Sequence, residues 1–438
     1  MKRNSMERKK VLIISYYWPP SGGIGVHRCL KFAKYLRDFG WEPIVYAPEN
    51  ADYPYFDESN FKHIPEGITI LKKPIREPFK LFKKLSGRKK SDSANPVYVR
   101  DKKRSLVDEL SIWIRGNLFI PDARALWIKP SVRFLTKWLK NHPVDAILTD
   151  GPPHTNTVIG CRVSQNTGIP WLADFQDPWT QVDYYNMLKI GKRADKKHHK
   201  LEQETFRTAK KITVASPSWA KDLEAIGAHD VDPVFWGYDE DDFPQTWPEP
   251  DKEFSIIHAG LLGYDRRPDT LINLLGKMKQ ENPEFGRLLK LRFAGNVDYA
   301  ISKQIEDVGL AENYEAPGNV SRPEAIDMTL RAQMLLLPLN KADNVKGRIP
   351  GKLFENLRAQ KPILCLGPDD SDVAGIIRDA NAGTTCAYDD ESCLKKFLTE
   401  RFDLFQQGQN QIKTGDIAEY SVRNQVKKVA GFLDNISS

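Results

Sequence analysis

The chain has 438 residues, of which 40% are hydrophobic and 28% charged, and its formal net charge is +7. This length exceeds what one ordinary hydrophobic core holds, so two domains are expected, and the composition argues against a largely disordered chain. The five cysteines stand apart without CxxC spacing, which predicts neither a disulfide framework nor a zinc site and favours the cytoplasm.

The excess positive charge is concentrated in one stretch. Between Leu71 and Arg104 the sequence has 13 Lys and Arg against 3 Asp and Glu, a local balance of +10. This distribution argues against nucleic-acid binding by the whole protein and predicts a flexible basic excursion at 77–104. With its apolar residues, this segment is expected to contact an anionic membrane surface near a lipid-linked acceptor. A solvated loop is the alternative.

Short apolar runs rich in β-branched residues alternate with longer helical stretches along the whole chain. This alternation predicts βαβ units and parallel sheets, in which ligands bind beyond the carboxyl ends of the strands. The predicted strands are 11–15, 42–46, 146–149, 171–174 and 211–215 in the first half, and 255–258, 289–294, 334–338 and 362–366 in the second. The predicted helices are 26–39, 195–210, 268–279 and 351–360.

A boundary is predicted at 236–253, where the sequence is WGYDEDDFPQTWPEPDKE. This stretch is acidic, rich in proline and aromatic residues, and without helical or strand periodicity, which is typical of a linker. It separates a domain at 1–235 from a second at 254–417. The remaining segment, 418–438, has a helical pattern and is a candidate to pack back on the first domain.

The first candidate site is the loop that holds Gly22, Gly23 and Gly25, between a predicted strand and a helix. Glycines let the backbone approach a ligand closely, and a helix N-terminus attracts anions. A simple tight turn is the alternative. The spacing is not GxGxxG, and no acidic residue ends the second strand, which argues against dinucleotide binding.

Three further candidates follow strands of the first half. His154 comes after the strand at 146–149 and opens a helix, so it could hydrogen-bond a sugar hydroxyl, although a structural role is the commoner one for a single histidine. Asp174 and Asp177 stand at the end of the next strand, and Asp177 before a proline could equally form a turn.

Two loops of the second half combine glycines with basic residues. The first, HAGLLGYDRRP, places Arg266 at a helix start, where a guanidinium and free N–H groups suit a diphosphate. The second, KGRIPGKLFE, contains Gly347 and Gly351 and leads into a helix with Lys352 and Glu355 in its first turns. Lysine can neutralise phosphate, and a glutamate can accept hydrogen bonds from both ribose hydroxyls.

The order of these motifs resembles that of glycosyltransferase family 4, a retaining family. The resemblance covers nearly the whole chain and implies an α/β protein with two Rossmann-like domains facing a cleft, the GT-B fold. In the first half it is carried by VLIISYYWPPSGGIGVHRCLKFAKYL, ILTDGPPHTNTVIG, GIPWLADFQDPW and ITVASPSWAKDL. In the second half it is carried by HAGLLGYDRRPDTLINLL, LRFAGN, APGNVSRPEAI, MLLLPL and KGRIPGKLFENLRAQKPILCLG.

The resemblance implies a role for each candidate. Arg266 and Lys352 stand where the family binds the donor's diphosphate, and Glu355 stands where it binds the ribose. His154 falls where a histidine contacts the transferred sugar. The remaining matches are Gly318, Asn319, Val320 and Ser321 in the loop that lines the base, and Gly22, Gly23 and Gly25 facing donor phosphate and acceptor.

The chain departs from the family's pattern at two positions. Gly347 stands where many members have a glutamate that contacts the donor sugar, eight residues before the closing one. Leu261 stands where an arginine often follows the glycine of the first donor-side loop.

The expected function is transfer of a sugar from a nucleoside diphosphate sugar to an acceptor hydroxyl, in polysaccharide or glycolipid assembly. The sequence predicts no metal site and no cofactor beyond the donor itself, because no DxD pair stands in a plausible metal-binding loop. A cytoplasmic location, on the inner face of the membrane, is expected. A GT-B-like sugar-nucleotide epimerase and a non-catalytic nucleotide-sugar-binding subunit are the alternatives.

Overall fold

A computed structural model describes residues 8–77, 106–342 and 344–438. Two compact units are present: unit 1 runs to Phe235 and includes Arg423–Ser438, and unit 2 is Trp236–Val422. Apart from Glu77, the basic excursion predicted at 77–104 lies outside the described residues. None of the helices described is long and apolar enough to cross a membrane.

Unit 1 contains a parallel sheet of seven strands within the described ranges, in the spatial order β3-β2-β1-β4-β5-β6-β7. The strands are β1 (Lys9–Ile14), β2 (Trp41–Pro48), β3 (Thr69–Lys73), β4 (Ala146–Asp150), β5 (Trp171–Asp174), β6 (Lys211–Val214) and β7 (Val231–Pro233). The helices are α1 (Gly25–Tyr35), α2 (Leu106–Asn117), α3 (Ile128–Leu139), α4 (His154–Thr167), α5 (Lys192–Thr208) and α6 (Pro217–Ala225).

The central strands of unit 1 are apolar along their length because helices cover both faces of a parallel sheet. Four consecutive residues of β1, Val11 to Ile14, are fully buried. Large aromatic side chains fill the layers between sheet and helices, since each removes a large apolar area from water. The fully buried tryptophans are Trp18, Trp41, Trp127 and Trp171.

Unit 2 contains a parallel sheet of six strands among its described residues, in the order β10-β9-β8-β11-β12-β13. The strands are β8 (Phe254–Ala259), β9 (Leu289–Ala294), β10 (Tyr314–Gly318), β11 (Met334–Pro338), β12 (Ile363–Leu366) and β13 (Gly383–Cys386). The helices are α7 (Asp269–Glu281), α8 (Pro283–Leu288), α9 (Tyr299–Asp307), α10 (Arg322–Arg331), α11 (Lys352–Ala359), α12 (Asp372–Asp379) and α13 (Glu391–Gln406). The predicted α/β class with parallel sheets is confirmed.

The last helix, α14 (Val422–Ile436), returns the chain to unit 1. The Lys9 ammonium lies 3.0 Å from the Asp434 carboxylate, which ties the end of α14 to the start of β1. The amide of Phe235 donates to the side chain of Gln425 over 2.8 Å, at the place where the chain leaves unit 1 for unit 2.

The expectation that the cysteines form no disulfide is wrong for one pair. Cys386 at the end of β13 is joined to Cys393 in α13, with their Cα atoms 5.8 Å apart. A separation of seven residues carries no disulfide signal by itself; the turn between β13 and α13 brings the two side chains together. The other three cysteines, Cys29, Cys161 and Cys365, are free and buried.

Candidate functional site

The carboxyl edge of the unit 1 sheet holds a buried ion pair. Asp174 ends β5, is 1% exposed, and binds Arg28 through both oxygens, at 2.5 Å from Nε and 2.8 Å from Nη2. The hydroxyl of Thr213 also donates to Asp174, over 2.7 Å. A bidentate pair with a further hydrogen bond fixes the carboxylate in place. Asp174 therefore links α1 to two strands and is enclosed by protein on all its hydrogen-bonding sides.

A second buried carboxyl, Asp150, lies beside Asp174 at the end of the adjacent strand β4. Ser15 donates to it over 2.7 Å, and the Gln176 amide donates to its other oxygen. Burial and, after it, the negative charge of Asp174 raise the pKa of Asp150 to about 7. Near neutral pH this carboxyl is thus poised between its two protonation states.

His154 begins α4 at the exit of β4, as the sequence predicts. Its ring is buried and stacked on Trp179, with centroids 4.6 Å apart and planes at 4°, and its Nδ1 lies 3.4 Å from the Thr157 hydroxyl. Burial lowers the pKa of His154 to about 3, and nearby His198 contributes in the same direction. At neutral pH the ring is uncharged, so it can exchange hydrogen bonds with a polar ligand but cannot provide a positive charge.

The glycine loop of unit 1 is pinned to the segment that follows β2. The amide of Gly22 donates to the carbonyl of Tyr55 over 2.8 Å, and a Cβ added at Gly22 would lie 3.2 Å from Asp57. Gly23 has φ +78°, a conformation that favours glycine. Added at Gly25, a Cβ would lie 3.0 Å from the Tyr17 ring. The three glycines thus serve close packing of the loop as well as backbone geometry.

In unit 2, three glycines with positive φ follow three adjacent strands: Gly260 after β8, Gly295 after β9 and Gly318 at the end of β10. The amide of Gly260 donates to Ala294 and the amide of Gly295 donates to Gly318, each over 2.7 Å. A Cβ at Gly295 would lie 2.3 Å from the Gly260 carbonyl oxygen. This glycine row leaves the backbone bare at the carboxyl edge of the sheet, where parallel sheets bind ligands.

Lys352 and Glu355 lie on the first turn of α11. The Lys352 ammonium donates to Oε2 of Glu355 over 3.1 Å, and Arg322 at the start of α10 lies 2.9 Å from Oε1. Glu355 is therefore held between two cations at the positive end of a helix. The Lys352 side chain also reaches the glycine row, since its Cε lies 4.0 Å from a Cβ position at Gly260.

A buried histidine, His258, lies near the end of β8, and the positive charges of Arg266 and Lys352 affect its pKa. Its Nδ1 lies 3.0 Å from the carbonyl of Leu336, and its Nε2 is buried without a hydrogen-bond partner, 3.5 Å from a Cβ position at Gly260. Burial lowers the pKa of His258 to about 4, and the positive charges of Arg266 and Lys352 also lower it. Arg266 is paired with its own neighbour, Asp265, at 2.9 Å.

The loop predicted to line a base is partly used for helix capping. Ser321 caps α10 and exchanges hydrogen bonds with Glu324 in a capping box. Asn319 is exposed, and Val320 lines an open groove of about 960 Å³ along β10 and α10. Of the predicted donor-site residues, Val320 alone lines this groove.

The remaining predicted positions surround the start of α11 or follow β5 and β8. Gly347 is buried in a short 3-10 helix, and Gly351 is the residue that precedes α11. Leu261 is 56% exposed next to Gly260, and in unit 1 Asp177 is half-buried in the turn after β5.

The structure thus brings Lys352 and Glu355 together, and Arg266 and Gly318 lie on the same edge of the unit 2 sheet. Three residues of the unit 2 site were not identified from the sequence: Arg322, His258 and Gly295. The glycine in LRFAGN and the arginine that follows Ser321 were visible in the sequence, but nothing local indicated their partners. Within the described residues, no group of three or more His, Cys, Asp or Glu side chains is arranged to hold a metal ion.

Solved structures with the same fold cover nearly the whole chain. The N-terminal domain of trehalose-6-phosphate phosphatase from Candida albicans matches 98% of this chain and 97% of its own, with a TM-score of 0.62 and 12% identity. A variant of S. aureus TarM in complex with fondaparinux, α-GlcNAc-glycerol and UDP matches 97% and 96%, with a TM-score of 0.53 and 10% identity. A protein described as a UDP-N-acetylglucosamine 2-epimerase from Listeria monocytogenes matches 98% and 96%, with a TM-score of 0.56 and 9% identity.

No protein-family model matches the sequence, and no curated protein matches it. At identities this low, the structural likeness establishes the fold and leaves function to the site. The fold is the GT-B fold of glycosyltransferases, and the protein described as an epimerase has the same fold.

Proposed function

We propose that this protein is a glycosyltransferase of the family 4 type, which moves a sugar from a nucleoside diphosphate sugar to an acceptor hydroxyl. The observation that carries the proposal is the Lys352–Glu355 pair at the N-terminus of α11, beside the bare backbone of the glycine row. The site combines positive charge for a diphosphate with a carboxylate for a ribose, and the fold is one that such enzymes use.

The donor would bind to unit 2. Lys352, Arg266 and the positive N-terminal end of α11 would hold the diphosphate, and the glycine row would let its oxygens approach the main chain. Both oxygens of Glu355 are held by cations, Oε1 by Arg322 and Oε2 by Lys352. As the phosphates draw the ammonium of Lys352 towards themselves, an oxygen of Glu355 becomes available to the ribose hydroxyls.

In the proposed reaction, the bond between the anomeric carbon and the diphosphate oxygen breaks, and a bond from the same carbon to the acceptor oxygen forms. The developing negative charge on the leaving diphosphate is stabilised by Lys352 and Arg266, so the proposed chemistry needs no metal ion. The acceptor proton passes to the leaving phosphate, which is consistent with retention of configuration at the anomeric carbon.

Unit 1 would bind the acceptor. His154, neutral and stacked on Trp179, can exchange hydrogen bonds with sugar hydroxyls. The loop of Gly22, Gly23 and Gly25 offers backbone at the start of α1. A glycan or lipid-linked glycan, built at the cytoplasmic side of a membrane, is the acceptor class that fits polysaccharide or glycolipid assembly.

The test is a screen of purified full-length protein against a panel of nucleotide sugars. Mass spectrometry would detect transfer to simple glycan acceptors and hydrolysis of the donor. The proposal expects one donor to be consumed and its nucleoside diphosphate to be released. Absence of turnover with every donor, together with absence of nucleotide binding by calorimetry, would contradict it.

A sugar-nucleotide epimerase is the second candidate, because the Listeria monocytogenes protein described as an epimerase shares the fold over nearly its whole length. Product analysis without acceptor separates the two functions: an epimerase converts one nucleotide sugar into its epimer, and a transferase leaves the sugar's configuration unchanged. Nucleotide-sugar binding without either reaction would indicate a non-catalytic binding subunit.

A further inference from the structure

Four side chains of alternating charge form a row at the proposed ribose site of unit 2. In order along the row they are Asp242, Arg322, Glu355 and Lys352. Asp242 Oδ2 lies 2.7 Å from Arg322 Nη2, and Arg322 Nη1 lies 2.9 Å from Glu355 Oε1. Glu355 Oε2 lies 3.1 Å from Lys352 Nζ. The proposed function uses Glu355 and Lys352 and assigns no role to Asp242.

Arg322 is shared between two carboxylates. A guanidinium often holds both oxygens of one carboxylate with two parallel N–H donors. Here its two terminal nitrogens bind different residues, Nη2 binding Asp242 and Nη1 binding one oxygen of Glu355. The second oxygen of Glu355 accepts from Lys352. This is the oxygen that would become available to a ribose when Lys352 turns to phosphate.

The position of Arg322 makes it depend on these carboxylates. It is the first residue of α10, whose start is fixed by the capping box of Ser321 and Glu324. Positive charge at that end of a helix is disfavoured by the helix dipole. The side chains of Asp242 and Glu355 are only 17% and 15% exposed, so water and salt screen their attraction for the guanidinium less than at an open surface.

Asp242 lies in a part of the predicted linker that is held by main-chain hydrogen bonds. It ends the short 3-10 helix Glu240–Asp242. Just before this helix, the amide of Tyr238 donates to the carbonyl of Tyr420 over 3.0 Å, and the carbonyl of Tyr238 accepts from the amide of Val422 over 2.7 Å. Asp242 is therefore anchored independently of Arg322 and can hold the guanidinium in one orientation.

We infer that Asp242 is a positioning residue for the ribose of the nucleotide: by holding one side of the Arg322 guanidinium, it keeps Arg322 from binding both oxygens of Glu355. This role rests on the proposed function, since it concerns how Glu355 meets the ribose hydroxyls. Without the charge of Asp242, the guanidinium would turn into the bidentate geometry and occupy the oxygen that the ribose needs. Asp242 acts through Arg322 and does not itself touch the nucleotide.

Isothermal titration calorimetry of the full-length protein tests this role, with UDP, GDP, ADP and CDP and their 2′-deoxy forms as probes. Asp242→Asn should bind the tightest of the four ribonucleotides about fivefold more weakly, the upper end for a partly exposed ion pair. The 2′-deoxy form lacks one of the two hydroxyls that Glu355 would receive, so its affinity should fall less. The preference for ribose over deoxyribose should therefore shrink in the variant, and an unchanged preference would overturn the inference.

Glu240→Gln is the matched control. Glu240 lies in the same 3-10 helix and also binds α11, through Arg358 in its last turn at 2.9 Å, but it is not part of the charged row. The control removes the same charge from the same segment and should keep the affinity and the ribose preference of the unmodified protein. Equal losses in the two variants would show that the segment only fixes α11 as a whole, and would contradict the role of Asp242.

A second variant shows whether the effect passes through the guanidinium. In an Arg322→Gln background, Asp242→Asn should cause no further loss of affinity, because the group that Asp242 holds is gone. Additive losses would contradict the inference, and circular dichroism of every variant checks that the fold persists. Nucleotide binding that ignores Asp242→Asn would overturn this inference alone, whereas absence of binding by every diphosphate to the unmodified protein would contradict the proposed function as well.

Discussion

The ammonium nitrogen of Lys352 lies 3.1 Å from a carboxylate oxygen of Glu355, three residues along the same helix. The two side chains, one proposed to bind phosphate and the other ribose, therefore neutralise each other. In the proposed function, a nucleotide would bind by exchanging the Lys352–Glu355 pair for a contact of Lys352 with phosphate and a contact of Glu355 with ribose. The difference between those interactions, and not their sum, sets the affinity.

The exchange predicts the effect of Glu355→Gln. Loss of the carboxylate should weaken nucleoside diphosphate binding about 10- to 100-fold, since hydrogen bonds to a charged group contribute about 1.5–3 kcal/mol. Isothermal titration calorimetry with a panel of nucleoside diphosphates measures this. Glu312→Gln, at an exposed position of unit 2, is the matched control and should bind like the unmodified protein. Unchanged affinity in the Glu355 variant would remove this residue from the site.

The glycine row predicts a difference between two glycine substitutions in unit 2. Gly295→Ala should lower the free energy of unfolding by about 3 kcal/mol or more, because its Cβ would meet the Gly260 carbonyl, an atom of the main chain. Gly309→Ala shares a positive φ but meets nothing within 4 Å, so it should cost only about 1 kcal/mol. Urea unfolding of both variants measures the difference, and equal costs would show that the row relaxes without strain.

The raised pKa of Asp150, about 7, predicts how stability changes with pH. Between pH 4 and 7 this carboxyl is protonated in the folded protein and ionised in the unfolded chain. Unfolding therefore releases a proton, and a rise in pH favours the unfolded state. Compared with Asp150→Asn, the unmodified protein should lose on the order of 2–4 kcal/mol of stability across that range. Unfolding free energies of both proteins at several pH values provide the comparison. A constant difference from pH 4 to 7 would contradict the assigned shift.

His154 should make the stability of the fold depend on pH in the opposite direction, with stability lost as the pH falls. Its folded pKa of about 3 lies below the unfolded value of about 6.5, so unfolding takes up a proton in this range and falling pH destabilises the fold. His154→Phe keeps an aromatic ring against Trp179 but cannot be protonated. The variant should therefore lose less stability than the unmodified protein when the pH falls from 6.5 to 4. Equal acid sensitivity in thermal unfolding would argue against a buried neutral histidine.

The sequence predicted nine strands, and every one of them has another strand on both sides. The four strands it did not predict, β3, β7, β10 and β13, are the two edges of each sheet. The physical reason is exposure: an edge strand has one neighbour, needs less apolar surface and can contain proline or glycine. The sequence of β10, YEAPG, has both, and two of its five residues are exposed.

The candidate site was predictable only as far as its residues are neighbours in sequence. Lys352 and Glu355 share a helix turn, so their proximity followed from helical spacing. The pairing of Glu355 with Arg322 and the pairing of Arg28 with Asp174 depend on elements far apart in the chain.

The contact between Gly295 and Gly260 restricts how this protein can be re-engineered. At this corner one stretch of main chain lies directly on another, so a side chain added at Gly295 would collide with the Gly260 carbonyl. A side chain added at Gly260 would instead require a positive φ, a backbone conformation that favours glycine. Libraries that aim to change what the proposed donor site binds should keep both glycines fixed. The positions to vary are Leu261 and Asn319, whose exposed side chains lie next to the glycine row and can be replaced without disturbing the packed interior.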